Sequence, residues 1–283
     1  MLTDIIQFDF LRHTFFTGIL IGIIAPLLGC FLVVRRLSLL ADALSHVTLA
    51  GIAFGLFIEK QFLITFSPLY SGMTFSIIGA VFIEKLRAIY KAYQEIGIPI
   101  ILSGGVGLSV IFIALANGFN TDLFGFLFGS VSAVSKADFI MISVISLFII
   151  IAIILFYKEL LTLYFDEEHA TVSGIHSKRI HILFIILTAL VIAASIRIVG
   201  VLLVSALMTL PVAAAMRLAN SFKQLIFIAI GLAEFSVITG LISGYYADIP
   251  PGGTIVVIAI LVLLLTFLWN TISLRIMKGG HQA

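Results

Sequence analysis

The feature that most constrains this chain is a series of long apolar runs, each close to the length that crosses a bilayer. A spanning helix needs about 20 mostly apolar residues. Nine runs meet that requirement, to within a few residues at each end: 14–34, 37–58, 62–83, 96–116, 137–157, 181–196, 198–216, 225–245 and 254–273. Composition agrees. Only 11% of the 283 residues are charged, against roughly 25% in soluble domains. A water-soluble globule would lack polar surface, and so high an apolar content excludes disorder. The single cysteine, Cys30, rules out an internal disulfide framework and a cysteine-rich metal site. A net charge of +2 gives no case for nucleic acid. The expected fold is all-α: a polytopic membrane protein of about nine transmembrane helices, forming one domain over 1–283.

The segment 119–135 is apolar but short and glycine-rich, and opens on Asn120, Thr121 and Asp122. It reads as a re-entrant piece, tolerated only where protein or a water-filled cavity surrounds it. A tenth span is the competing reading.

Basic residues set orientation, because cytoplasmic loops carry the Lys/Arg excess. Alternating the nine spans places Arg35, Arg36, Lys85, Arg87, Lys91, Lys158, Lys178, Arg179, Arg217, Lys223, Arg275 and Lys278 on one side. Only Arg12, Lys60, Lys136 and Arg197 fall on the other. The N-terminus is therefore expected outside and the C-terminus inside. No cleavable signal peptide is evident: the first apolar run is too long and lacks a small-residue cleavage site. The largest polar stretch, 158–179, is expected to be a cytoplasmic loop.

A charged side chain at membrane depth is a functional candidate by default. The second run contains Leu40-Ala41-Asp42-Ala43-Leu44-Ser45-His46. Asp42 and His46 are four apart, so a helix puts them on one face, about one turn apart. A carboxylate and a neutral imidazole suit zinc and its neighbours. A structural hydrogen bond between helices, or a proton relay, is the alternative reading. Two ligands do not close a four-coordinate site, which suits a carrier that must release its cargo. Duplication across a two-fold axis would supply four. Ala41, Ala43, Ser45, Ala50 and Gly51 would let another helix or a partner subunit come close.

Glu234, in the eighth run, is the other carboxylate expected deep in the membrane, as a path-lining or proton-receiving group or with a structural partner. Arg197 reads as an outer-face residue. Asp248 lies in a turn enforced by Pro250, Pro251, Gly252 and Gly253, either solvated or facing an external partner. His169, His176 and His181 cluster around the polar stretch, as a metal exit or as ordinary solvated histidines; His13 and His281 carry no signal. No G-x-x-x-x-G-K-S/T occurs, so the chain has no phosphate loop for ATP. Leu102-Ser103-Gly104-Gly105 imitates an ATPase signature, but inside an apolar span it reads as helix-packing glycines. Neither H-E-x-x-H nor G-x-S-x-G is present, so an intramembrane hydrolase has little support.

The run Arg35-Arg36-Leu37-Ser38-Leu39-Leu40-Ala41-Asp42-Ala43-Leu44-Ser45-His46 closely resembles the R-R-x-S-L-x-x-D-x-L-S-H signature of the ABC-3 family. These are the membrane permeases of bacterial zinc and manganese ABC importers. Phe165-Asp166-Glu167-Glu168-His169-Ala170 with Gly174 is similar to the family's acidic cytoplasmic loop. Gly200-Val201-Leu202-Leu203-Val204, leading to Leu210-Pro211-Val212-Ala213-Ala214-Ala215-Met216-Arg217, is similar to its late segment.

The resemblance implies a type II importer in a bacterial cell membrane. Its parts would be two copies of this permease, a cytoplasmic ATPase dimer and an external metal-binding lipoprotein. The chain itself would be no enzyme and hold no permanent cofactor, with Zn2+ or Mn2+ as cargo. Carried over by position, the metal-contacting pair falls on Asp42 and His46, with Ser45 and Glu234 as further pathway candidates. ATPase coupling falls on about 210–224, including Pro211, Ala214, Arg217 and Asn220. Asp166, Glu167 and Gly174 are a second contact. The Asp-x-Leu-Ser-His form followed by Val-Thr-Leu-Ala-Gly looks more like the streptococcal-type zinc permeases than the manganese branch. Manganese or iron transport is the nearest alternative. A proton-coupled secondary transporter using Asp42, His46 and Glu234, and a non-transporting scaffold or sensor, are the rivals outside the family.

Overall fold

Hydrocarbon offers no partners to backbone N–H and C=O groups, so a chain this apolar must pair them internally. The computed structural model describes residues 7–62, 67–90, 93–116, 118, 121–130 and 134–279, and every regular element among them is helical. Besides a 3-10 turn at Gln94–Ile96, these are in chain order α1 (Asp9–Val34), α2 (Ser38–Phe62), α3 (Pro68–Ile89), α4 (Gly97–Leu115), α5 (Thr121–Phe128) and α6 (Lys136–Leu155). Then follow α7 (Tyr157–Phe165), α8 (Glu167–Val172), α9 (Ser177–Val199), α10 (Val204–Ala215), α11 (Phe222–Ala247) and α12 (Pro251–Gly279).

Among the described residues, seven helices are long and apolar enough to cross a membrane: α1, α2, α4, α6, α9, α11 and the Pro251–Trp269 part of α12. The other two expected spans fall on α3 and α10. α3 has 22 residues, with Glu84, Lys85 and Arg87 near its end. α10 departs further. The run expected to span 198–216 contains a helix of only 12 residues, about 18 Å long. The cause is a break at Gly200, whose φ is 84°. Glycine adopts that backbone without strain, and a Cβ there would meet the Leu127 carbonyl at the end of α5.

That contact also positions the short apolar segment. α5 has eight residues, about 12 Å, too short to cross ~30 Å of hydrocarbon. Its C-terminal carbonyls are taken up by the break: the Val201 N–H donates to Phe126 O at 2.9 Å and the Leu202 N–H to Leu127 O at 3.4 Å, while the Ser130 N–H donates in return to Arg197 O at 3.3 Å. The remainder of 119–135 includes residues 119, 120 and 131–133, which lie outside the described residues.

The polar stretch 158–179 is not an open loop. It folds into α7, α8 and the start of α9, because Leu160, Leu163 and Tyr164 recur at helical spacing and are buried. Asp166 caps α8 by accepting the His169 N–H at 2.9 Å.

α9 runs through the interior, packing against α1, α2, α3, α6 and α10. One group, α2 with α3 and α4, lies to one side, and α1, α10, α11 and α12 form another. The outward faces are apolar: Phe227 is 74% exposed and Val144 63%, as for a chain whose solvent is lipid. Helix directions carry Arg35, Arg36, Lys85, Arg87, Lys158, Lys178, Arg179, Arg217 and Lys223 to one end, and Arg12, Lys60, Lys136 and Arg197 to the other. Lys91 lies outside the described residues.

Candidate metal site

α2 is built from small residues on the sides that meet its neighbours. A Cβ at Gly51 would lie 2.6 Å from the Ser71 carbonyl of α3. On the other side, a Cβ at Gly105 of α4 would lie 2.9 Å from the Val47 nitrogen and 3.1 Å from the His46 carbonyl carbon. The Ser109 hydroxyl lies within 3.2 Å of the His46 carbonyl and donates at 2.7 Å to Gly105 O. Backbone thus lies against backbone beside His46. The imitation signature in α4 splits: Gly105 makes this approach, whereas Gly104 is exposed with open space at its Cβ position. Gly105→Ala should cost about 1–2 kcal/mol of stability by overpacking, with Gly104→Ala within about 0.5 kcal/mol or slightly stabilising. Unfolding of the purified protein in a denaturing-detergent titration measures both.

Packed so closely, the middle of α2 leaves little uncovered. Across residues 40–53 every residue is buried except two, Asp42 and His46, which are half-exposed. Ser45 is fully buried, and its hydroxyl donates back to Ala41 O at 2.8 Å. Thr48 does the same toward Leu44 O. Among the described residues, neither Asp42 nor His46 makes a side-chain hydrogen bond or ion pair, and no group of three or more His, Cys, Asp or Glu side chains could hold a metal. The stretch therefore leaves one carboxylate and one imidazole, a helical turn apart, partly uncovered and without a partner among the described residues.

Glu234 stands elsewhere. It points into the seam between α11 and α1, where a Cβ on Gly22 would lie 2.6 Å from its Oε1. Among the described residues that oxygen is buried without a hydrogen-bond partner, and the carboxylate is not grouped with Asp42 and His46.

The two expected coupling stretches lie side by side at the cation-rich end. Pro211 and Ala214 are buried in α10, while Arg217 emerges and lies 4.7 Å from the Phe267 ring centroid. Asn220 is exposed, and its N–H donates to Gln224 Oε1 at 2.9 Å. Glu167 pairs with Arg35 at 2.8 Å, and that guanidinium sits 5.1 Å from the centre of the Tyr164 ring. Burial pushes the Tyr164 phenol well above its ordinary range. Gly174 ends the turn after α8 at φ 81°. Phe165 meets Phe222 edge-on at 5.6 Å, and Phe165, Met216 and Asn220 line one depression of about 250 Å³.

Two charged groupings lay beyond the sequence reading. Asp138 is only 3% exposed, so among the described residues it, rather than Glu234, is the acidic residue most enclosed by protein. It forms a capping box with Ser135 and pairs with Arg197 at 3.3 Å. Arg197 lies at the same end as Arg12, Lys60 and Lys136, packed over the Phe126 ring at 4.7 Å. The spacing Ser135-x-x-Asp138 was the available signal. At the opposite end His181 is buried 3.1 Å from Glu84, 2.7 Å from Arg87 and 3.2 Å from the Tyr164 hydroxyl. It is thereby separated in role from His169, which is exposed. His13 stacks on Phe139 at 5.2 Å, Asp248 is exposed in a left-handed turn with φ 55°, and His281 lies outside the described residues. No local pattern marks Glu84 with His181.

Residues 7–270 match the profile of the ABC 3 transport family. The manganese transport system membrane protein MntC of Listeria monocytogenes is 31% identical over 95% of this chain and 93% of its own length. The high-affinity zinc uptake system membrane protein ZnuB of Haemophilus influenzae is 30% identical over 89% of this chain and 94% of its own. Among solved structures, PsaBC from Streptococcus pneumoniae in complex with Fab superposes with a TM-score of 0.81 at 30% identity, covering 94% of this chain and 95% of that one.

Proposed function

Because this chain belongs to the ABC 3 transport family, a family of membrane permeases, we propose that its cargo is a divalent transition metal, zinc ahead of manganese, held between two copies of the chain. The observation that carries this reading is the exposure pattern of α2: in an otherwise buried stretch, the two half-exposed side chains are one carboxylate and one imidazole at ligand spacing. Two such half-sites facing one another supply four ligands, the number a zinc ion takes. Asp42 and His46 of each copy replace water on the ion. Because the half-site is incomplete in one copy, separation of the copies releases the ion.

The remaining parts follow from the same reading. A cytoplasmic ATPase pair seats on the cation-rich end, against Met216–Asn220 and the Asp166–Gly174 turn. Movement there reaches α2 through Arg35, which precedes it and holds Glu167. The N-terminus faces outward, where an external metal-binding lipoprotein delivers the ion near the Asp248 turn. Zinc is favoured by the imidazole, since a nitrogen-containing site binds zinc above manganese in the Irving–Williams order.

Manganese is the second reading, supported by relatives such as MntC that carry that metal in their names. A proton-coupled carrier is less favoured, because Glu234 sits in the α1–α11 seam apart from the pair. Reconstitution of the chain with its ATPase, followed by uptake of zinc in competition with manganese, tests the proposal. ATP-dependent zinc uptake that excess manganese fails to displace is the expected result. Uptake by the chain alone, abolished by an uncoupler, would overturn it; manganese displacing zinc at equal concentration would establish the second reading.

A further inference from the structure

α3 and α9 border a groove of about 240 Å³ toward the cation-rich end. Val81 of α3 and Ile182, Ile185 and Ile186 of α9 form its walls, and Lys85 and Lys178 stand at its margin. Glu84 also lines it, but its carboxylate is engaged 3.1 Å from His181 and 3.4 Å from Arg87. Both lysines are exposed, and neither is ion-paired among the described residues. The groove is thus apolar along its length and positive at one end. It is separate from the strip of α2 that presents Asp42 and His46.

We propose that this groove holds an acyl chain of an anionic phospholipid, with the lipid phosphate between Lys85 and Lys178. An alkyl chain needs walls with no polar groups to desolvate, which the isoleucines and Val81 supply. A lysine's long stem lets its ammonium reach the headgroup level from a helix end. Basic pockets between transmembrane helices recognise anionic headgroups in this way. A zwitterionic lipid would fill the same walls but gain nothing from the pair of ammonium groups. Two lysines near the membrane surface are worth about thirtyfold together, and the Glu84 carboxylate lining the same groove brings the expected preference for an anionic headgroup down to roughly tenfold.

The test uses the full chain in bilayers, with the single native tryptophan removed (Trp269→Phe) and a reporter placed in the groove (Ile182→Trp). Brominated phosphatidylglycerol should quench the reporter at roughly one-tenth the mole fraction needed for brominated phosphatidylcholine. The Lys85→Gln/Lys178→Gln double variant should bring the two lipids level. Native mass spectrometry of the chain with Ile182 intact gives an independent reading, through bound phosphatidylglycerol lost in the same double variant. Equal quenching by both lipids, or a preference that survives loss of both lysines, would overturn the proposal.

Discussion

Alanine at Asp42 or His46 will lower metal uptake by at least about tenfold while leaving the amount of protein in the membrane unchanged. Changes to residues that merely orient a ligand already cost about 10–100-fold in metal affinity, and on the proposed reading either substitution would remove a ligand from each of two copies. The fold should tolerate the change. Neither side chain is engaged within the described residues, and alanine is the best helix former, so stability should stay within about 0.5 kcal/mol. Ser45→Ala is the internal control: its hydroxyl is buried against Ala41 O, so uptake should hold within about twofold. Uptake measured with labelled metal in cells, normalised to protein level, decides this. Near-normal uptake in either ligand variant would remove the pair from the pathway.

The second large effect is on stability, at the other end of the molecule. Asp138→Ala should cost about 2–3 kcal/mol, because it removes a carboxylate that both completes the cap of α6 and faces Arg197. Breaking a buried pair one-sidedly costs about 3–5 kcal/mol; the Arg197 side chain is 18% exposed, so the lower figure applies. Two milder variants separate the contributions. Asp138→Asn keeps hydrogen-bonding capacity at the cap but loses the charge, whereas Ser135→Ala keeps the charge and loses about 1 kcal/mol of capping. If Asp138→Ala and Ser135→Ala destabilise equally in a denaturing-detergent titration, the pairing with Arg197 contributes nothing.

The His181 grouping shows why such sites escape a reading of the sequence. Arg87 and His181 are 94 residues apart, and nothing in either neighbourhood points to the other. Asp138 was within reach, since its cap spacing is local, but its burial depends on Arg197 arriving from α9.

The sequence by itself determined the solvent, the all-helical architecture and the shared face of Asp42 and His46. These are consequences of composition and of the 3.6-residue period, which act over a few turns of one helix. Only the tertiary structure decided which face of α2 stays open, that Ser45 is closed off, and that Glu234 belongs to a different seam. It also decided that α10 is short, because the carbonyls of α5 come to rest on Gly200. Each of these depends on which helix packs against which, and close packing between segments distant in the chain leaves no periodic trace in either one.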